Sequence, residues 1–163
     1  AGLSLIGRVI FFFSAPVGTV MFPLVVQKHT RNENYQNILG LSVLLIFLPS
    51  IALTIFYFIF PEFTIRFFLK NEEYVSAAPY LGFFGIFIGL FSLLSVFTNF
   101  YLSIKRTKIF IPLVAGAIIQ AALIWIWHES FGQIIIISTI TTFLLLISLV
   151  LYYPFAIKEQ KAS

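Results

Sequence analysis

Five apolar runs of 19 to 30 residues, separated by short polar breaks, constrain this chain more than any other feature. They cover about residues 1–26, 38–60, 75–104, 109–127 and 134–157. Crossing the roughly 30 Å of bilayer hydrocarbon takes about 20 apolar residues as a helix. The expected fold class is therefore all-α: a polytopic membrane helical bundle with five transmembrane helices. The connections are short, so residues 1–163 are expected to form a single bundle with no soluble domain.

Composition agrees and excludes several function classes. Hydrophobic residues make up 60% of the chain, charged residues 10%, and the mean hydropathy is +1.03. Soluble domains carry about 25% charged residues. The net charge of +4 is modest, and its cations cluster in short loops. That is a membrane-orientation signal and not a nucleic-acid patch. There is no cysteine, which removes disulfides, thiolate catalysis and Cys-ligated metals. His29 and His128 lie in different loops without ligand spacing, so no metal or cofactor is expected.

The first run, AGLSLIGRVIFFFSAPVGTVMFPLVV, holds one charge, Arg8, with apolar residues on both sides. A cation at that depth is costly against lipid and is expected to face a partner or a watery cavity; snorkelling to the interface is the plainer alternative. This run lacks the basic start of a signal peptide. It opens without an initiator Met, so the chain is expected to be a fragment of a longer protein.

Further along, Pro16 and Pro49 interrupt their spans and favour kinks. The segment PEFTIRFFLKNEEY (61–74) is amphipathic, and reads either as an interface-lying piece or as a loop with some aromatics. Gly82, Gly85 and Gly89 share one helical face, which favours close approach of another helix. Trp125 and Trp127 mark a span end at the interface.

Cationic residues recur after the first, third and fifth spans: Lys28 and Arg31; Lys105, Arg106 and Lys108; Lys158 and Lys161. This pattern puts those loops in the cytoplasm, the N-terminus of the chain outside and the C-terminus inside. The loop with Arg66 and Lys70 blurs it.

Enzyme readings are disfavoured. The chain has no Asp, and its glutamates lie in loops or the tail. The intramembrane hydroxyls, among them Ser92, Ser95, Thr98, Thr139, Thr141 and Thr142, have no His or Lys base in reach. They are expected to bond to their own helix or to a neighbour. Besides Arg8, the polar intramembrane candidates for substrate binding are Asn99, Tyr101 and Gln120; helix-to-helix hydrogen bonding is the competing use of the two amides.

The run GRVIFFFSAPVGTVMFPLVVQKH resembles the span ending in a Phe-Pro step of polysaccharide and O-antigen flippases, within the multidrug/oligosaccharidyl-lipid/polysaccharide exporter superfamily. FFLKNEEYVSAAPYLGFFG and FYLSIKRTKIFIPLVAG resemble that family's following segment and basic turn. Lys70-Asn71 stands where the family often has Gly. The resemblance implies two six-helix bundles around a central cavity, with the five spans corresponding to helices two to six of the C-terminal bundle. It implies export of a lipid-linked oligosaccharide across the cytoplasmic (inner) membrane by alternating access, for polysaccharide or lipopolysaccharide assembly in the cell envelope. The N-terminal bundle of the same protein would be the partner, and Arg8 would contact the anionic diphosphate. Pro16, Pro49, Gly82, Gly85 and Gly89 would be hinge or helix-contact positions. Two other readings stand beside it: a multidrug exporter of the same superfamily, and a five-span membrane scaffold subunit with no transport of its own.

Overall fold

The computed structural model describes residues 2–31, 33–69 and 76–161, which are helical apart from short connections. The order is α1 (Gly2–Thr30), α2 (Gln36–Ile59), α3 (Pro61–Leu69), α4 (Ala78–Ser103), α5 (Phe110–Ile126) and α6 (Phe131–Lys161), with a 3-10 turn at Thr107–Ile109 before α5. There is no strand among the described residues. Five of the helices are long and apolar enough to cross a membrane. The protein is an all-α polytopic bundle.

The helix ends differ from the apolar runs in an instructive way. The first run stops at Val26, yet α1 continues to Thr30. Thr30 Oγ1 donates to the carbonyls of Val26 (3.1 Å) and Gln27 (2.9 Å), and Glu33 N–H donates to Lys28 C=O at 2.9 Å, closing the end. Polar residues extend the helix because hydrogen bonding, and not hydropathy, decides where it stops. Its 29 residues span about 44 Å, more than the hydrocarbon alone. Likewise α6 starts at Phe131 and ends at Lys161, beyond the apolar run at both ends. Pro16 and Pro23 lie inside α1, Pro49 inside α2 and Pro154 inside α6, and each helix continues through its prolines. Each proline removes one helical N–H.

The amphipathic segment after α2 forms a helix of its own, α3, over Pro61–Leu69; positions 70–75, which hold Lys70, Glu72 and Glu73, lie outside the described residues. Thr64 and Ile65 of α3 are buried against the bundle, while Phe63 and Phe67 are exposed and stack on each other at 5.9 Å.

Helix α4 is the hub. It packs on α1, α2 and α6, and α3 lies against its start. Small residues make this possible, because lipid gives no hydrophobic drive between helices and close backbone contact must supply the attraction. A Cβ on Gly82 would stand 2.6 Å from the Phe58 ring, and one on Gly85 3.1 Å from Tyr57. Gly89 meets Ser50 in the same way at 3.3 Å, so the three glycines all face α2. On another face, Gly7 of α1 leaves room for Phe84, where a Cβ would approach to 2.5 Å. Helix α5 is peripheral and packs mainly on α6, with Gly116 set against Leu145.

Buried side chains form two clusters at opposite ends of the bundle. One joins Ile6 and Ile10 of α1 to Tyr57, Ile65 and Leu81. The other joins Val25, Tyr35, Leu39, Phe100, Ile104 and Leu149. At this second end, rings link the helix termini in sequence. His29 meets Tyr35 at 5.6 Å, Tyr35 meets Phe100 at 5.9 Å, and Phe100 meets Tyr153 at 6.0 Å. The basic loops after α1 and α4 and the basic end of α6 therefore stand at the same end.

Candidate functional site

Alongside the second cluster, whose Val96 forms part of the wall, α1 and α4 leave a groove of about 480 Å³. Its α1 wall is Phe11, Ser14, Ala15, Gly18, Thr19, Phe22 and Pro23; its α4 wall is Ser92, Ser95, Val96 and Asn99. Both walls follow from helical spacing. Positions 11, 15, 18, 19 and 22 recur at three- and four-residue steps on α1, as do 92, 95, 96 and 99 on α4.

One buried hydrogen bond joins the two walls: Ser14 Oγ lies 3.2 Å from Ser92 Oγ. Ser14 Oγ also donates within α1 to Phe11 C=O at 2.9 Å, and with its one proton so placed it accepts from the Ser92 hydroxyl. Thr19 Oγ1 donates to Ala15 C=O at 2.9 Å and Ser95 Oγ to Phe91 C=O at 2.9 Å. These hydroxyls keep their oxygen lone pairs as acceptors toward the groove. Asn99 is half-buried, and its side-chain nitrogen would lie 3.2 Å from a Cβ on Gly18. Gly18 thus makes the space in which the Asn99 amide sits. The groove contains neither acid nor base, and it offers hydroxyl acceptors and one amide.

Arg8 does not line the groove. It is exposed on α1, on the same stripe as Ala15, Thr19 and Phe22, which lie seven, eleven and fourteen positions later. That register places it about 10 Å along the helix from Ala15, toward the end of the bundle where Tyr57 Oη donates to Ile6 C=O at 3.1 Å. The guanidinium belongs to the same side of α1 as the groove, beyond its outer lip.

The other sequence candidates stand elsewhere. Tyr101 is fully buried, and its hydroxyl donates to Leu149 C=O at 2.6 Å, tying α4 to α6. Gln120 Nε2 donates to Ser138 Oγ at 3.0 Å, tying α5 to α6. Both spend their polarity on helix pairing, away from the groove. Pro16 borders a different, apolar crevice between α1 and α2, with Val17, Met21 and Leu41. Lys28, Arg31, Lys105, Arg106 and Lys108 stand at the far, basic end. Ser14, Gly18 and Thr19 belong to the groove and were not singled out by sequence; their small, weakly polar stripe was the available signal.

No family model, curated protein or solved structure matches this chain. The chemistry of the groove is therefore read from its own residues.

Proposed function

We propose that this chain is the half-cavity of a carrier, not an enzyme, that moves a lipid-linked oligosaccharide across the cytoplasmic membrane by alternating access. The observation that carries this is the uncharged groove of Ser14, Thr19, Ser92, Ser95 and Asn99, which runs from the middle of α1 and along the C-terminal half of α4, with Arg8 in register beyond its lip. Hydroxyl acceptors and an amide suit the many hydroxyls of a glycan. An arginine suits a phosphate, which it can bind through paired N–H donors; Ile6 and Ile10 on either side of Arg8 pack with Ile65 of α3, so the guanidinium stands near the level of α3.

On this reading a second bundle of the same protein covers the open side of the groove, and the two rock about a midplane site. The basic end with Lys28, Arg31, Lys105, Arg106 and Lys108 faces the cytoplasm, and the start of α1 faces outward. The resemblance to polysaccharide and O-antigen flippases supports the same assignment. The neutral groove and its cation are less suited to a cationic drug.

The test is binding by the complete protein in detergent of a lipid-diphosphate oligosaccharide, compared with the sugar-free lipid diphosphate. Arg8→Ala is expected to weaken both ligands about 10-fold, in line with loss of a charge-assisted hydrogen bond. Asn99→Leu is expected to weaken the glycosylated ligand alone. Unchanged affinity in both variants would remove the groove from the mechanism.

A further inference from the structure

Among the described residues, Lys105 is the one non-glycine residue with positive φ, at 61°. It closes α4 in a Schellman ending: Lys105 N–H donates to Leu102 C=O at 3.1 Å, and Arg106 N–H donates to Tyr101 C=O at 2.8 Å. Glycine makes this left-handed turn without strain, whereas a side chain there is disfavoured. A strained residue kept in place points to a use for its side chain. That side chain is exposed, and the adjoining loop is held to α6, where Arg106 Nη2 donates to Ala156 C=O at 3.3 Å. Lys108 follows in the 3-10 turn and is also exposed. The ring contacts from His29 through Tyr35 to Phe100 bring the end of α1, with Lys28, to the same end of the bundle. Acidic residues at this end are few, Glu33 and Glu159.

We propose that Lys105 and Lys108 form a site for the phosphate of an acidic phospholipid headgroup. The occupant is a lipid because the loop leads directly into a lipid-facing surface: Phe110 and Ile111 of α5 are 47% and 72% exposed. A phosphate held at Lys105 lays its acyl chains along that face. Cations at this level attract anionic headgroups individually, and a fixed loop makes the attraction local. The site is independent of the groove and of what the groove carries.

The complete protein is placed in phosphatidylcholine nanodiscs with increasing mole fractions of phosphatidylglycerol, and thermal unfolding is followed. Lys105→Gly and Lys105→Asn both keep the left-handed turn and remove the charge, so in phosphatidylcholine alone they are expected to melt at or above the native temperature. The native protein is expected to gain stability as phosphatidylglycerol rises. The variants are expected to need about fivefold more of it for the same gain. An identical response of native protein and both variants overturns the site, as does a native protein indifferent to phosphatidylglycerol. Equal protection by inorganic phosphate in phosphatidylcholine nanodiscs overturns the lipid assignment in favour of a free-anion site.

Discussion

Two glycines on adjacent helices carry opposite constraints. Gly82 of α4 lies where a Cβ would meet the Phe58 ring at 2.6 Å, whereas Gly40 of α2 has nothing within 4 Å. Gly82→Val is expected to destabilise the bundle by about 1–3 kcal/mol, as overpacking does in a close-packed interior. Gly40→Ala is expected to stabilise it by about 0.5–1 kcal/mol, because a helical glycine with open space around it contributes only backbone freedom to the unfolded chain. Thermal unfolding of the two purified variants in one detergent checks the pair, and the sign difference is the diagnostic. Hydrogen bonds at single residues act in the same structural role. Tyr57 and Tyr101 each donate to a carbonyl of a neighbouring helix, one at either end of the bundle.

At the scale of elements, α3 is expected to lie along one membrane surface. Its three flanks are chemically distinct: Thr64 and Ile65 buried on the bundle, Phe63 and Phe67 exposed together, and Glu62 and Arg66 exposed on the remaining side. The phenylalanines continue an aromatic row from α2, with Phe56 and Phe63 at 6.4 Å. A helix with this division is expected to lie in the interface, one flank in lipid and one in water. The chain has no cysteine, so single labels can be introduced without background. Spin labels at Phe63→Cys and Phe67→Cys are expected to be quenched by oxygen, which partitions into lipid, and those at Glu62→Cys and Arg66→Cys by a water-soluble nickel chelate. Equal access to both quenchers at all four positions would place α3 in water. The prolines show the limit of local rules at this scale. Pro16 and Pro49 favour kinks, and the helical hydrogen bonding of α1 and α2 resumes beyond each of them, at the loss of one N–H per proline.

Across the whole molecule, the bundle was legible in the sequence because a 20-residue apolar run is a local signal with one physical solution in lipid. The five spans follow from it. Their ends do not, since backbone hydrogen bonding carries α1 past Val26 into the polar sequence to Thr30. The groove was legible only in part. Asn99 and Arg8 drew attention as polar residues at depth, but Tyr101 and Gln120 did so equally, and both are committed to α6. What separates these pairs is which helix each one faces, a fact of packing between residues as distant as Ser14 and Ser92. On the proposed function, an anionic lipid-linked sugar travels through the groove past Arg8. Export of surface polysaccharide is measured in cells lacking the native protein and complemented with the protein carrying Arg8→Lys, Arg8→Ala or Arg8→Glu, at matched membrane levels. Export that is largely kept with Lys, reduced with Ala and abolished with Glu is the expected result. Export that is indifferent to all three would contradict passage of the anion past Arg8.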